Sequence, residues 1–249
     1  MAYIYRTPAS GGSNSIFTLS YWVKRAKLGV QQTLYSAGTA NKGTFMFDVN
    51  DRVAVSDDGV TVIATSAQYR DPGAWYHIVL AYDTTASGTD KVKLYVNGEI
   101  ITDYASDARS SASVLNYVND TQPQYIGADT SNPFYGEMSW VQMVDGAQLA
   151  PTEFGEVDST SGIWKIKAEA YATPGTNGFC LKMEDRTNLD LDSSSNAFTW
   201  TTSGDLTPTH DCPSNNFCLP NTLNTYWSGI DNSNFSNGNT TVNFDHGNE

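Results

Sequence analysis

Apolar and polar side chains alternate most clearly over residues 75–101, and this stretch predicts three consecutive β-strands. Residues 75–82 are almost all aromatic, β-branched or aliphatic, which is typical of a buried strand. Residues 91–96 alternate between Val or Leu on one face and Lys or Tyr on the other. Asn97-Gly98 readily adopts positive φ at both central positions of a type I′ turn, so residues 99–101 should fold straight back. The stretch therefore predicts an antiparallel meander.

Similar patterns recur through the first 145 residues. Asp58-Gly59 separates two short apolar runs and predicts a second hairpin. Residues 102–121 are polar and Ser-rich, which predicts a long connection with one helical turn near residues 111–117. The other predicted strands are residues 3–5, 16–24, 32–36, 44–49, 52–55, 60–65, 125–127 and 136–144. The pattern predicts an all-β domain over residues 1–145 with antiparallel sheets packed as a sandwich.

The periodicity weakens after residue 145. Residues 146–202 predict an irregular β segment packed on the first domain, with isolated strands near residues 178–183 and 197–201. A single helical turn is expected at Pro151, with Thr152 as its cap. Residues 203–249 contain ten Asn and few aliphatic side chains, too little apolar area to fold independently. We expect an extended Asn-rich arm there, or a linker to further chain.

The residues of the sandwich resemble a known family. Trp-Tyr-His-Ile-Val-Leu at residues 75–80, Lys-Leu-Tyr-Val-Asn-Gly at 93–98, Tyr-Ile-Gly at 125–127 and the run from Phe134 to Val141 occur in the order and spacing of laminin-G-like domains. These domains have the concanavalin A-like jelly roll of lectins and glucanases. The resemblance implies an antiparallel jelly-roll β-sandwich for residues 1–145.

A second set of motifs resembles tail-fibre-like structural proteins of marine bacteriophages. The motifs lie at residues 144–156, 162–165, 175–179 and 213–217. The resemblance implies a virion structural protein, either a tail- or head-fibre module that adsorbs to host-surface glycans or a capsid decoration protein that uses the fold only as a scaffold. It implies partners among other virion proteins and further copies of the same chain, in a homo-oligomer. Such a protein is made in the host cytoplasm and exposed on the released particle.

The net charge of the chain argues against two classes of binding partner. The formal net charge is −13 and the isoelectric point is about 4.4. A protein with this charge is repelled by nucleic acid phosphates and by anionic membrane surfaces, so we expect it to bind neither. The sequence contains no secretory leader and no apolar run long enough to insert into a membrane. The three cysteines show no zinc-ligand spacing, which leaves free thiols or a disulfide between Cys212 and Cys218.

The glucanases that share this fold have a signature of catalytic acids with which this sequence can be compared. Their signature is Glu-x-Asp-x-Glu, and the nearest stretch begins at Glu137, where Ser139 and Val141 occupy the positions of the second and third acids. One carboxylate cannot serve as both nucleophile and general acid. We therefore expect no enzymatic activity and no required cofactor. A second buried carboxylate beside Glu137 would instead favour a glycoside hydrolase.

Two non-catalytic sites are predicted at the ends of the strands. Sugar binding uses aromatic faces together with Asn and Asp side chains. The residues that fit this chemistry are Tyr125, Asp129, Asn132, Phe134 and Tyr135. Lectin-like relatives also hold calcium with acidic loop side chains, as a cation that takes six to eight oxygen ligands requires. The candidate calcium ligands are Asp48, Asp83, Asp129 and Asp145, and each is alternatively an ordinary turn residue.

Overall fold

The structure, a computed structural model, describes residues 1–38, 42–129, 131–217, 235–236 and 241–243. Its strands in the first domain are β1 (Tyr3–Arg6), β2 (Ile16–Arg25), β3 (Gln32–Ala37), β4 (Lys42–Phe47), β5 (Val53–Asp57), β6 (Val60–Thr65), β7 (Trp75–Asp83), β8 (Val92–Val96), β9 (Glu99–Ile100), β10 (Tyr104–Asp107), β11 (Gln124–Ile126) and β12 (Gly136–Asp145). The later strands are β13 (Gly155–Val157), β14 (Trp164–Ile166), β15 (Phe179–Leu181), β16 (Thr201–Ser203), β17 (Phe235–Ser236) and β18 (Thr241–Val242).

Two antiparallel sheets form the sandwich. The eight-stranded sheet has the order β10-β6-β5-β4-β3-β11-β1-β16, and the six-stranded sheet has the order β15-β12-β2-β7-β8-β9. The smaller hairpins pair β13 with β14 and β17 with β18. The predicted all-β antiparallel sandwich is confirmed. The helices described are single 3-10 turns at Gly88–Lys91, Arg109–Ser111 and Pro151–Glu153, so none in the described ranges is long enough to cross a bilayer.

The core lies between the two sheets. Phe17 and Leu19 of β2 point into it, and the ring of Phe17 stacks on that of Tyr82 in β7 with 5.2 Å between centroids. The facing sheet contributes Phe45 and Phe47, which are almost completely buried. Burying each such side chain stabilises the fold by about 1.5–3 kcal/mol.

Both predicted hairpins form because their turn residues adopt the required backbone. Asn97 and Gly98 have φ of 51° and 86°, and Val96 pairs with Glu99. Asp58 and Gly59 have φ of 52° and 77° between β5 and β6. Positive φ at both central positions matches the twist of the flanking strands. Local turn chemistry therefore sets the register of two hairpins.

The structure corrects two expectations. Residues 102–121 were predicted to be a connection, yet they contain β10, which pairs with β6 through a bulge. The 3-10 turn at Pro151–Glu153 is preceded by Ala150, and Thr152 lies inside it, so Thr152 is not the cap. Both errors concern positions where the deciding contacts are not visible in local sequence.

The chain after residue 145 adds to both sheets. β15 pairs with β12, and β16 pairs with β1. The β13–β14 hairpin carries Trp164, which packs with the tryptophans on the outer face of the six-stranded sheet. As a result β2 is buried on both faces, although its alternating pattern is that of a half-buried strand. The predicted arm over residues 203–249 falls largely outside the described residues.

His77 is a buried core histidine held between two tryptophans. Its ring stacks on Trp22 with 4.6 Å between centroids and on Trp164 with 5.9 Å. Trp164 Nε1 donates to His77 Nδ1 at 2.9 Å, so Nε2 carries the proton and donates to Ser20 Oγ at 2.9 Å. Both ring nitrogens are satisfied by the neutral form, and burial lowers the pKa of His77 to about 3.

Acid should destabilise the protein through His77. In the unfolded chain the pKa of His77 is about 6.5, so below that pH the unfolded state binds a proton that the folded state does not bind. This contribution is absent above pH 6.5 and reaches about 2 kcal/mol of lost stability at pH 5. Urea unfolding at pH 7.5 and pH 5 measures it. The His77→Gln variant should lose about 2 kcal/mol less over this range than the wild type, whereas H210Q, which removes an exposed histidine, should behave like the wild type. Equal pH slopes for wild type and H77Q would contradict the assignment.

Candidate functional site

A cavity of about 470 Å³ lies beside β12, at one edge of the sandwich. The first four residues of β12 pair with β2 on one side, while β15 pairs only with residues 141–143 on the other. The open side of β12 therefore faces the cavity rather than another strand. Segments 183–189 and 205–212 and the start of the chain at residues 2–4 supply the remaining walls.

Glu137 of β12 is the group that makes this cavity chemically unusual. Its side chain lines the cavity, and the residue is only 9% exposed. Both carboxylate oxygens are buried and accept no hydrogen bond of good geometry, although the side chains of Asp211 and Thr209 lie within hydrogen-bonding range. Burial raises the pKa of Glu137 to about 7, the neighbouring charge of Asp211 adds to the rise, and Lys24 opposes it. Glu137 and Asp211 therefore form a pair of neighbouring buried acids, of which Glu137 is the one whose neutral form is favoured.

Asp211 has the opposite character, because both of its oxygens are occupied. Lys24 Nζ contacts Oδ2 at 2.6 Å, and Trp75 Nε1 donates to Oδ1 at 2.8 Å. Lys24 Nζ also donates to Asn216 Oδ1 at 2.7 Å and to the carbonyl oxygen of Phe217 at 2.5 Å. Lys24 is fully buried and its three donors are all used. These contacts hold residues 211–217 against the sheet and thereby close one wall of the cavity.

The other walls combine apolar surface with a few polar groups. The apolar and aromatic side chains include Tyr3, Ile4, Phe134, Met138, Met183 and Leu206. At the polar side, Glu184 Oε1 accepts a hydrogen bond from Trp140 Nε1 at 3.1 Å, and Arg186 Nη1 lies 2.6 Å from His210 Nε2. A mostly apolar concavity with a few fixed polar groups is the usual form of a small-ligand site.

Gly136, the first residue of β12, permits a close backbone contact at the edge of the cavity. Its φ is 151°, and a Cβ at this position would lie 2.0 Å from the carbonyl oxygen of Lys24 and 3.0 Å from the ring of Phe134. Any other residue would push Phe134 away or separate β12 from β2. The glycine therefore allows β12 to pair closely with β2 beside the ring of Phe134.

The five predicted sugar-binding residues do not share one pocket. Phe134 lines the cavity. The ring of Tyr125 packs against Tyr3, with 5.7 Å between centroids. Tyr135 is 42% exposed and its ring lies 4.6 Å from Lys27 Nζ.

Asp129 and Asn132 organise their own loop. The Asp129 carboxylate accepts hydrogen bonds from Thr33 Oγ1 at 2.9 Å and from the backbone N–H groups of Ser131 and Asn132 at 2.6 and 2.7 Å. The Asn132 side chain donates to the same carboxylate. The donors within the loop thus already use the polar atoms that were predicted to meet a sugar.

The four predicted calcium ligands are likewise engaged by other groups of the protein. Asp48 pairs with Arg52 at 2.7 Å, and Asp83 accepts from the backbone and hydroxyl of Thr85. Asp145 accepts from the backbone N–H groups of residues 13 and 177. No group of three or more Asp, Glu, His or Cys side chains suited to a metal occurs in the described ranges. Calcium binding stays a prediction.

The cysteines contribute no metal or redox centre that the described residues reveal. Cys180 is buried in β15, and burial raises the pKa of its thiol to about 12. Cys212 lies in the wall of the cavity near Ser214 Oγ. Cys218, the other half of the predicted disulfide, lies outside the described residues.

No curated protein matches the chain. A Bacteroides ovatus protein, described as a candidate carbohydrate-binding protein, superimposes with a TM-score of 0.52 at 20% identity. The match covers 82% of this chain and 56% of that protein, so the chain spans a little over half the length of its structural relative. At this identity the similarity establishes the fold alone.

Two other solved structures are more distant. A heptameric SAP-like pentraxin from Limulus polyphemus has a TM-score of 0.44 and 13% identity over 59% of this chain and 71% of its own. A sialidase from Trypanosoma rangeli has a TM-score of 0.38 and 19% identity over 56% of this chain and 22% of its own. At these TM-scores neither similarity supports a conclusion about ligand or chemistry.

The family, by contrast, is established from the sequence. The profile of the Laminin_G_3 family, described as the concanavalin A-like lectin/glucanases superfamily, matches residues 2–152. This range covers more than half of the chain and includes every strand from β1 to β12. The predicted jelly-roll fold and laminin-G-like resemblance are thereby confirmed, and the chain belongs to the concanavalin A-like lectin/glucanases superfamily.

Proposed function

We propose that this protein binds carbohydrate without cleaving it, and that the ligand enters the cavity beside β12. One observation carries the proposal: Glu137, a buried acid, lines a cavity that also contains aromatic side chains. A sugar presents hydroxyl donors to a carboxylate and C–H faces to aromatic rings. Glu137 supplies the first contact, and Phe134 and Tyr3 supply the second.

The dimensions of the cavity agree with this ligand class. Its volume of about 470 Å³ lies in the lower half of the range, about 300–1,000 Å³, that is typical of small-molecule sites. That size suits a monosaccharide or the terminal unit of a glycan better than an extended chain. The lectin-like fold of residues 2–152 is compatible with the same role.

Glycoside hydrolysis is the second candidate, because Glu137 does have a buried acidic neighbour in Asp211. A retaining hydrolase needs a nucleophile and an acid about 5–5.5 Å apart, both facing the substrate. Lys24 and Trp75 occupy both oxygens of Asp211. A carboxylate held this way is a poor nucleophile, which supports binding without cleavage.

We also propose that the module is displayed on a bacteriophage particle, as part of a tail or head fibre that adsorbs to host-surface glycans. The motifs over residues 144–217 that resemble phage tail-fibre-like proteins support this step. Weak binding at each site would be strengthened by multiple copies on one particle. A capsid decoration protein that uses the fold as a scaffold is the alternative.

Removal of the aromatic wall should weaken sugar binding. We expect Phe134→Ala to reduce affinity about tenfold, since an aromatic contact contributes about 1–1.5 kcal/mol. The measurement is a screen of wild-type protein on a glycan array, followed by calorimetry of wild type and variants with the best-bound glycan. Tyr135→Ala is the matched control, because Tyr135 is adjacent in sequence but exposed outside the cavity. A loss confined to Y135A would move the site to the predicted loop rim and contradict the cavity.

The absence of cleavage can be tested on the same glycan. We expect no new reducing ends when it is incubated with the wild-type protein across pH 5–8. Release that disappears in Glu137→Gln, with folding intact by thermal unfolding, would establish the hydrolase instead.

The proposed location on a bacteriophage particle can be tested on the intact virion. In a cryo-electron map of the phage that carries this chain, we expect the sandwich at a fibre or spike, with the mouth of the cavity facing solvent. Density for the sandwich flat on the shell, with the cavity against coat protein, would support decoration and contradict adsorption.

A further inference from the structure

We propose that the side chains of Lys24 and Asp211 condense into an amide, so that a covalent cross-link joins β2 to the segment that closes the cavity. The carboxyl group of Glu137 acts as the proton relay of this reaction. The inference is independent of the proposed carbohydrate binding, because it concerns a modification of the chain itself. It follows from three buried groups that the fold brings together.

The amine and the carboxyl group are already in contact in a site that excludes water. Lys24 Nζ lies 2.6 Å from Asp211 Oδ2, and the two side chains are 0% and 2% exposed. The residues are 187 positions apart in the chain, so the fold and not the local sequence places them together. Reactants held in this way reach effective molarities of about 10⁵–10⁸ M. Exclusion of water also opposes hydrolysis of the product.

The neighbours of Lys24 orient its nitrogen for attack. Besides Asp211, the ammonium group donates to Asn216 Oδ1 at 2.7 Å and to the carbonyl oxygen of Phe217 at 2.5 Å. When the proton shared with Asp211 passes to the carboxylate, the two remaining N–H groups stay on Asn216 and Phe217. The lone pair that is freed then points at the Asp211 carboxyl group.

Two N–H groups prepare the Asp211 carboxyl group to be attacked at its carbon. Trp75 Nε1 donates to Oδ1 at 2.8 Å, and the backbone N–H of Phe217 donates to the same oxygen at 3.3 Å. Negative charge develops on this oxygen as the amine adds, and donors fixed at that position stabilise it. Oδ2, which lies towards Lys24, is the oxygen that leaves.

Glu137 supplies the acid and the base that amide formation requires. It is the register partner of Lys24 in the neighbouring strand, and its side chain lies within hydrogen-bonding range of Asp211. Burial and the charge of Asp211 raise the pKa of Glu137 to about 7, so both of its protonation states are accessible near neutral pH. Such a group can accept a proton from the nitrogen and donate one to the departing oxygen.

The reaction is balanced without an added reagent. A proton first passes from the Lys24 ammonium group to Asp211 Oδ2, which gives a neutral amine and a carboxylic acid. The Nζ–Cγ bond then forms, and Glu137 transfers a proton from the nitrogen to Oδ2. The Cγ–Oδ2 bond breaks, one water leaves, and Glu137 returns to its starting state. An ammonium and a carboxylate thus become an amide and water, and no oxidant, reductant or nucleotide is consumed.

The cross-link attaches one wall of the cavity permanently to the sandwich. It restricts the unfolded chain in the way that a disulfide of the same span does. An amide, unlike a disulfide, is not broken by reduction. The cysteines in the described part of the chain, Cys180 and Cys212, are both free.

The test is the mass of the full-length protein, measured under denaturing conditions during a time course after cell-free synthesis at pH 7. We expect the wild type to become lighter by one water. Digestion and fragmentation should then place Lys24 and Asp211 in one branched peptide.

Glu137→Gln keeps the size of the side chain and removes the proton relay. We expect E137Q to form the cross-link about 100-fold more slowly, or not at all, while thermal unfolding shows that it is folded. Asp205→Asn is the matched control, because it removes another acid from the same segment and the same cavity wall. D205N should form the cross-link at the rate of the wild type.

Three results would count against the proposal. An unchanged mass in folded wild-type protein would overturn it. A lost water that maps to Asp58-Gly59 in an unbranched peptide would be a succinimide, and would overturn it as well. A cross-link that forms at the same rate in E137Q would overturn the role of Glu137. None of these results bears on sugar binding, which the glycan array measures separately.

Discussion

The buried ion pair between Lys24 and Asp211 is the interaction on which the rest of this structure depends. Lys24 of β2 is fully buried, with Nζ 2.6 Å from the carboxylate. Removing one partner of such a pair typically costs about 3–5 kcal/mol, because a charge is left unpaired in a medium of low polarity. The sandwich and residues 211–217 are therefore mutually dependent: Asp211 supplies the carboxylate that Lys24 contacts directly, and Glu137, the register partner of Lys24 in β12, is the other acid nearby.

The same pair determines the chemistry of Glu137. Because Lys24 and Trp75 occupy Asp211, they neutralise that carboxylate and leave none of their own donors for its neighbour. Glu137 then lies in a buried site with a second acid nearby, and these conditions raise its pKa. The two adjacent acids therefore differ in role: Asp211 is the ionised partner of Lys24, while the neutral form of Glu137 is favoured.

How far the sequence predicts this structure depends on the range of the deciding interactions. The hairpins at Asn97-Gly98 and Asp58-Gly59 were predictable because two residues determine each turn. β10 was missed because its strand identity comes from pairing with β6, and its own residues are polar. Glu137 was found through a family signature, but Asp211 lies in the Asn-rich arm, and no local pattern connects the two. A signal for it in the sequence was Lys24 itself, a charged residue near the end of a strand that is mostly apolar.

The boundary of the family match has a further physical consequence. Residues 2–152 supply β1 and β12, but segments 183–189 and 205–212, which form the remaining walls of the cavity, lie beyond that boundary. The fold therefore fixes the position of Glu137, while chain outside the shared sandwich decides its charge environment and which ligands reach it. Because a fold does not determine the chemistry of a site, the ligand specificity of other members cannot be transferred to this cavity. It must follow from the residues that this chain adds.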